Sequence, residues 1–432
     1  MTIDSSFSGF ASIFDHVVDD KSGPLSLTFK SAQTTPPTLS TALPSILSGP
    51  APLAQAVFGT IGRVATLATF NSYSFERNIL SPSAPFRFTA PGISKEIRKS
   101  IRSGDTVQLL VTDRNGKKVP IATGFIDETD THGSSTSIEY VLTGRDTMGQ
   151  LVDNTAVDKS NKLQNIKTIT MKNLAKQLLL NTRIPQGLIL KSVDTSPLLF
   201  RTNPGETKMA TLQRYMEYTN CVAWTAPNGQ IILGKPSFNQ TPSGTLIAQY
   251  ANVETKAATN VLDFRVRRNV NSAIRQIILQ LQSLTGIPDQ GNYTYPNEDA
   301  DVKAVAESLA GRSVYEVFTY GKAEVSVNKV IHVANSSGSP TTLGQAYALR
   351  RIARENVNVL DVELTVKGHL NSEGGFYDVD QVYNVSIPDE DLSQPLYVYA
   401  VTYSLTIEHG MMTKLRLCKL GTIVANSAQV QV

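Results

Sequence analysis

The chain contains few cysteines and has little net charge. Only two of its 432 residues are cysteines, Cys221 and Cys418, and they do not form a C-x-x-C pair. This excludes a disulfide framework and is typical of a metal-free protein kept in a reducing compartment. The 40 Lys and Arg residues exceed the 37 Asp and Glu residues by only +3. That surplus is too small to hold the whole molecule on a nucleic acid or an anionic membrane.

Long hydrophobic runs and catalytic motifs are also missing. The first residues, MTIDSSFSGF, lack a secretory signal, and no stretch of about 18 apolar residues occurs. We therefore expect no stable membrane insertion. The G-x-S-x-G, H-E-x-x-H, Walker, G-x-G-x-x-G and EF-hand patterns are absent, and the five histidines are scattered at positions 16, 132, 332, 369 and 409. We predict that the protein is not an enzyme, that it has no catalytic, cofactor-binding or metal-binding residues, and that it uses no cofactor.

What is present is typical of a large, mainly β protein. Alternating strands rich in Thr, Phe and Tyr recur between turn-forming residues. A length of 432 residues predicts two to four domains. Changes in pattern predict an N-terminal arm and Ser/Thr/Pro-rich linker (1–62), a first β-barrel domain (63–158), an α+β middle domain (159–259), a second β-barrel domain with helical insertions (260–425) and a tail (426–432).

Local signals place several turns and helices. Asn115-Gly116 between two apolar runs predicts a β-hairpin. In the middle domain, TMKNLAKQLLLNT predicts an amphipathic helix with Thr170 as its N-cap, and ETKMATLQRYMEYT predicts a second helix. Further helices are predicted at Asp301–Leu309 and from Leu343 to about Asn356.

Two stretches of the chain share one layout. GDTVQLLV, VPIATGFIDETDTHG and STSIEYVLTG follow one another in the first half, and VDQVYNVSI, LYVYAVTYSLTIEHG and MTKLRLCKLG in the second. Each has a strand, a long strand ending in His-Gly, and another strand, which predicts two related β-domains. Placing His132 over His409 aligns Asp127, Glu128 and Asp130 with Ser404, Leu405 and Ile407. Because the acidic residues do not recur, we interpret them as a solvated hairpin end.

Two arginine clusters and one tryptophan could serve recognition. Arg265, Arg267 and Arg268 lie on or beside a strand. Arg350, Arg351 and Arg354 lie on a predicted helix. Both clusters are solvated charged faces or contacts to acidic groups of a partner subunit. The single tryptophan, Trp224, is predicted to lie in the core.

The order of elements from GDTVQLLV through ATGFIDETDTHG and SIEYVLTGRDTMGQLVDNTA to TITMKNLAKQLL resembles the Mu-like baseplate hub proteins of contractile phage tails, of the late control D family. The later NVLDFRVRRN and LYVYAVTYSLTIEHGMMTKLRL lie where the second barrel of that family would be. The resemblance covers roughly residues 65–420. The long N-terminal segment departs from the family.

The resemblance implies two tail-tube-like β-barrel domains per chain and a homotrimer with a pseudo-sixfold ring. Such a hub joins the tail tube, or a tube-initiator protein, to a central spike, contacts baseplate wedge proteins, and binds no nucleic acid sequence-specifically. Its location would be the virion tail baseplate, assembled in the host cytoplasm. Two alternatives stay open. One is a tail-associated peptidoglycan hydrolase using Glu128 with a distant Asp, and the other is a carbohydrate-binding module in which Trp224 or Tyr215 stacks on sugar.

Overall fold

The computed structural model describes most of the chain after the N-terminal arm. The described residues are 54–60, 63–67, 70–156, 167–184, 187–193, 197–200, 202–219, 221–249, 259–269, 276–282, 313–320, 330–335, 350–351, 353–354, 356–423 and 430–431. Residues 1–53 of the predicted arm, the helix predicted at Asp301–Leu309 and the first turns of the helix predicted at Leu343 lie outside them.

Strands dominate the described residues, which confirms the mainly β fold class. Their bounds, in chain order, are β1 (Ala54–Thr60), β2 (Arg63–Leu67), β3 (Ser72–Asn78), β4 (Pro85–Pro91), β5 (Thr106–Thr112), β6 (Lys118–Gly133), β7 (Ile138–Asp146), β8 (Lys167–Thr170), β9 (Leu188–Lys191), β10 (Pro197–Phe200), β11 (Val222–Thr225), β12 (Ile231–Gly234), β13 (Thr245–Ile247), β14 (Val261–Arg268), β15 (Gln276–Gln282), β16 (Ser313–Tyr320), β17 (Val330–Asn335), β18 (Leu360–Lys367), β19 (Gln381–Ile387), β20 (Leu392–Thr406), β21 (Gly410–Lys419) and β22 (Val430–Gln431).

Among the described residues, α-helices are few and short. They are α1 (Lys95–Ser100), α2 (Gly149–Asp153), α3 (Met171–Leu179) and α4 (Lys208–Tyr218). The predicted N-cap of α3 is confirmed, because Thr170 has an extended backbone and its hydroxyl accepts a hydrogen bond from the Asn173 amide. Thr207 caps α4 in the same way through the Ala210 amide. Residues 350–351, 353–354 and 356 are also helical and precede β18.

Thirteen strands form one sheet, in the order β14-β18-β21-β20-β3-β4-β7-β6-β5-β1-β2, with β19 paired to β20 and β13 to β19. The predicted hairpin at Asn115-Gly116 joins β5 to β6, and Gly116 has φ +79°, which a glycine adopts without strain. Strand β1 belongs to this sheet although its residues were placed in the predicted arm, because it pairs with β2 and β5. Strand β22 of the predicted tail pairs with β16.

The two related units recur in three dimensions with the same strand order. In the first unit the order is β3-β4-β7-β6-β5, and in the second it is β14-β18-β21-β20-β19. All the pairs within these two series are antiparallel. The layout seen in the sequence therefore corresponds to a repeated five-strand arrangement.

The His-Gly alignment of these units is wrong, and their β-bulges show the correct one. The bulge in β6 leaves Asp127 unpaired between Ile126 and Glu128. The bulge in β20 leaves Tyr399 unpaired between Val398 and Ala400. Superposing the bulges places Asp127 on Tyr399 rather than on Ser404.

The two histidines consequently occupy different positions. His132 lies within β6, opposite Glu139 of β7, whereas His409 lies in the turn between β20 and β21. Alternation along a strand does not reveal where an extra residue is inserted, so the sequence pattern could not show this shift.

The described strands do not close into barrels, which corrects the expectation of two separate barrel domains. Strand β20 is long enough to pair with β19 through Leu392–Val398 and with β3 through Ala400–Thr406. This second pairing joins the second unit to the first, so the sheet is continuous across both.

Two hydrophobic cores support this arrangement. The larger core lies along the sheet of both units and includes the fully buried side chains of Phe75, Phe88 and Tyr403. The smaller core is formed by α3, α4 and the strands of the middle segment, with Leu174 and Leu212 among its buried residues. Burial of these apolar surfaces supplies most of the driving force for folding.

Candidate functional site

An arginine of β7 binds an acidic residue of the neighbouring strand β6. Arg145 of β7 donates to both carboxylate oxygens of Asp127, at 2.6 and 3.1 Å, and to both of Asp153, at 2.6 and 3.0 Å. The hydrogen bonds to these two carboxylates raise the pKa of Arg145. The β-bulge directs Asp127 to this guanidinium. Asp127 thus has a cationic partner that the sequence pattern did not identify.

The remaining polar residues of β6 form an exposed strand edge. Glu128, Asp130 and His132 are all exposed. Residues Glu128–Gly133 pair with β7 on one side and have no strand partner on the other side among the described residues. We name these six residues the acidic edge. The described residues include no group of three His, Cys, Asp or Glu side chains arranged to hold a metal ion.

A second exposed edge, at β14, is basic. Strand β14 pairs with β18, and its other edge has no strand partner within the described ranges. Arg265 and Arg267 are exposed on it, whereas Arg268 forms an ion pair with Glu390 at 2.9 Å. We name residues Val261–Arg268 the basic edge. The sequence placed its three arginines together, and in the structure all three are exposed, with Arg268 paired to Glu390.

The other arginine cluster borders a cavity beside α4. Arg350 lines this cavity with Met209 and Met216, and Arg354 lies 4.0 Å from Glu217. The Nε and Nη1 atoms of Arg350 are shielded from solvent and have no hydrogen-bond partner in the described structure. Burial lowers the pKa of the Arg350 guanidinium.

The aromatic residues considered for sugar stacking are buried. Trp224 is 2% exposed within the larger core, and Tyr215 is 4% exposed within the smaller one. The Nζ atom of Lys191 lies 5.7 Å from the centre of the Trp224 ring. The prediction that Trp224 is a core residue is confirmed.

A buried polar network joins the two units and has no signature in the sequence. The Tyr73 hydroxyl lies 2.7 Å from Nε2 of His369, whose Nδ1 lies 2.8 Å from Oγ1 of Thr413. Thr413 donates to the carbonyl of Gly368 at 2.6 Å, so its oxygen accepts from Nδ1–H of His369. His369 is therefore the Nδ1–H tautomer, and Nε2 accepts from Tyr73. Burial lowers the pKa of His369 to about 4.

Other buried ionisable groups also link separate parts of the chain. Arg77 of β3 forms an ion pair with Asp378 and donates to the carbonyl of Thr225 in β11. Asp146 accepts hydrogen bonds from Ser83 and Thr225, while burial raises its pKa to about 6.

The two cysteines lie as thiols in separate cores, and burial raises the pKa of Cys418 to about 12. Both are buried. No helix among the described residues is long and apolar enough to span a membrane.

No protein-family model matches this chain, and no curated protein matches it. Solved structures do match its fold. A tail protein from Neisseria meningitidis aligns with 87% of this chain and 100% of its own, with 18% sequence identity and a TM-score of 0.68. The 43 kDa tail protein of prophage MuSo2 from Shewanella oneidensis aligns with 85% of this chain and 99% of its own, with 14% identity and a TM-score of 0.64.

A third structure, a prophage tail protein from Listeria monocytogenes, aligns with 84% of this chain and 94% of its own, with 8% identity and a TM-score of 0.50. The similarity extends over nearly the whole length of each of these tail proteins. This chain therefore has the fold of these tail proteins.

Proposed function

We propose that this protein is a structural component of a phage-type tail and acts as its baseplate hub. The hub is a homotrimer whose two related units per chain form a pseudo-sixfold ring. It joins a sixfold tail tube, or a tube-initiator protein, to a threefold central spike, and it contacts baseplate wedge proteins. It works in the virion tail after assembly in the host cytoplasm, without enzymatic activity.

The repeated five-strand arrangement carries this proposal. Two units with the same strand order lie side by side in one continuous sheet. Three such chains supply six similar units, which is the property required of an adapter between sixfold and threefold partners. The shared fold with three tail proteins supports a role in a tail.

The mass of the purified protein tests the proposal. Light scattering is run on the protein alone and with its proposed spike partner, and the largest species is imaged by negative stain. We expect a threefold ring with six similar lobes and an open centre. A monomer under both conditions would remove the adapter mechanism.

The hydrolase alternative has a separate test. Glu128 is exposed on a strand edge, whereas an acid catalyst requires a second carboxyl group at about 5 to 9.5 Å. Under our proposal, neither the wild-type protein nor Glu128→Gln releases soluble fragments from peptidoglycan. Lysis that is lost in Glu128→Gln would favour the enzyme.

Sugar binding is disfavoured by the burial of its aromatic candidates. Trp224 and Tyr215 have almost no surface on which a sugar ring could stack. We expect the fluorescence of Trp224 to be unchanged when muropeptides are added. A saturable change in its emission would support a carbohydrate-binding module instead.

A further inference from the structure

The two units are equivalent in strand order but not in how their edges are paired. In the second unit, the part of β20 beyond its bulge pairs with β3 of the first unit, from Ala400 to Thr406. In the first unit, the corresponding part of β6 is the acidic edge, which has no such partner among the described residues. Within the described ranges, the repeat thus leaves one position without a strand.

The strand equivalent to β3 is β14, the first strand of the second unit. Tyr73 of β3 pairs with Phe88 of β4, as Phe264 of β14 pairs with Leu364 of β18. Strand β14 also has a vacant edge in the described structure. Within one chain, therefore, the vacant position on β6 and the matching strand β14 are both present, separated in the sheet order by β18, β21, β20, β3, β4 and β7.

The bulges determine which residues would be opposite each other. Glu128 and Ala400 are the first residues after the bulges of β6 and β20, so Asp130 corresponds to Thr402. Thr402 pairs with Glu76 of β3, and the equivalent of Glu76 in β14 is Arg267. The same register therefore places Asp130 opposite Arg267. It also places His132 opposite Arg265.

Charge complementarity favours this pairing. The acidic edge carries Glu128 and Asp130, and the basic edge carries Arg265 and Arg267, all of them exposed. Opposite charges that face each other across an antiparallel pair stabilise it, while like charges destabilise it. Charged side chains on a strand edge also prevent unspecific pairing, so each edge accepts the other but not a second copy of itself.

Exposed apolar side chains lie at one end of the same register. Leu262 is 60% exposed at the start of β14, and Ile138 is 38% exposed at the start of β7. Ile138 pairs with Gly133, which the register places opposite Phe264, two residues from Leu262. Pairing of the two edges brings these apolar side chains to the same end of the contact.

We propose that β14 of one copy of this chain adds to the acidic edge of the next copy, antiparallel, with Asp130 opposite Arg267. The contact is head-to-tail, because each copy contributes a different edge to each neighbour. Around the ring, junctions between copies alternate with the β3–β20 junction inside each copy. The number of copies, three, rests on the proposed function, whereas the pairing of these two edges does not.

Cysteine cross-linking tests the register directly. The variant carries Asp130→Cys and Arg267→Cys, and Cys221 and Cys418 remain in place because both are buried. Under mild oxidation we expect covalent dimers and larger species on a non-reducing gel. The matched control carries Glu76→Cys and Thr402→Cys, the equivalent pair inside one chain, and it should cross-link without leaving the monomer mass.

Charge exchange tests the energetics. Asp130→Arg and Arg267→Asp should each weaken self-association about five- to tenfold, and the double variant should restore it, since the opposite charges face each other again. Unchanged thermal unfolding of the monomer shows that the exposed substitutions leave the fold intact.

The outcomes separate this inference from the proposed function. Covalent rings of three support both. Covalent rings of another size retain the edge pairing and overturn the threefold hub. Light scattering could instead show a trimer while the cysteine variant stays at the monomer mass on the gel and the double charge variant does not regain self-association. That result would overturn the edge pairing and retain the hub.

Discussion

The hydroxyl of Tyr73 donates a 2.7 Å hydrogen bond to Nε2 of His369, across 296 residues of sequence. Tyr73 lies on β3 of the first unit, and His369 follows β18 of the second. The pair lies beside the β3–β20 junction, because Tyr73 is opposite Leu405. A buried polar contact thus marks the point where the two units meet.

His369 should make stability depend on pH. Its pKa is lowered from 6.5 to about 4 by burial, so the unfolded chain binds a proton that the folded chain does not. This contribution to stability is complete above pH 6.5 and is lost as the pH falls toward 4, by about 3 kcal/mol. Urea unfolding of wild type and His369→Gln between pH 4 and 7 measures it. The difference between the two should shrink steadily as the pH falls; a constant difference would contradict a neutral buried histidine.

Asp146 should make the folded protein less stable as the pH rises, which is the reverse of the effect of His369. Burial raises its pKa from 3.8 to about 6, so the folded chain holds a proton that the unfolded chain has released. Stability from this group is complete below pH 3.8 and falls by about 3 kcal/mol as the pH rises through 6. Asp146→Asn keeps the shape and removes the titration. The free energy of unfolding of this variant minus that of wild type, measured by urea unfolding, should increase from pH 4 to pH 7. A pH-independent difference would show that Asp146 is already ionised at pH 4.

Gly144 permits a close approach of strands under the ring of Phe86. A Cβ atom at Gly144 would lie 2.1 Å from the carbonyl oxygen of Phe125 and 2.4 Å from Cζ of Phe86. Gly144→Ala should therefore lower the free energy of unfolding by about 3 kcal/mol, since the backbone and a buried ring must both move. Gly133→Ala is the matched control, as no atom lies within 4 Å of its Cβ position. Equal thermal stability of the two variants would contradict the packing described.

We expect the Arg350 side chain to lower the free energy of unfolding of the wild-type protein. Its Nε and Nη1 atoms are shielded from water without a hydrogen-bond partner in the described structure. Replacing an unsatisfied buried polar group by an apolar one of similar length removes its desolvation cost. Arg350→Met should raise the free energy of unfolding by about 1 kcal/mol, measured by urea unfolding. Arg354→Met is the control, because Arg354 is 58% exposed, and its stability should stay near that of wild type. A loss of stability in Arg350→Met would show that Arg350 is paired.

Short-range features were predictable because their causes are local. Asn115-Gly116 forms a hairpin turn because Asn and Gly readily adopt the backbone angles of such a turn. Thr170 caps α3 because its hydroxyl reaches an amide three residues further along the chain. The alternating strands and their repeated order also follow from local pattern. The buried position of Trp224 follows from its large apolar surface.

Positions within the candidate site were only partly predictable. The sequence placed the acidic residues of β6 at an exposed strand end and the arginines of β14 together on a strand. It did not show that Arg145 binds Asp127, because that contact depends on a β-bulge. It also did not show that both strands have an edge without a partner in the described part of the chain, because an edge is defined by which strands are absent beside it.

By itself, the sequence determined the mainly β composition, the turns, the helix caps and the existence of two related units, since each depends on residues close together in the chain. Only the tertiary structure decided that β20 continues past β19 to pair with β3, which keeps the sheet continuous where two barrels were expected. It also decided that the bulges, rather than the shared His-Gly, align the two units. The physical reason is that backbone hydrogen bonding is the same for every strand, so the choice of partner and register comes from packing across hundreds of residues.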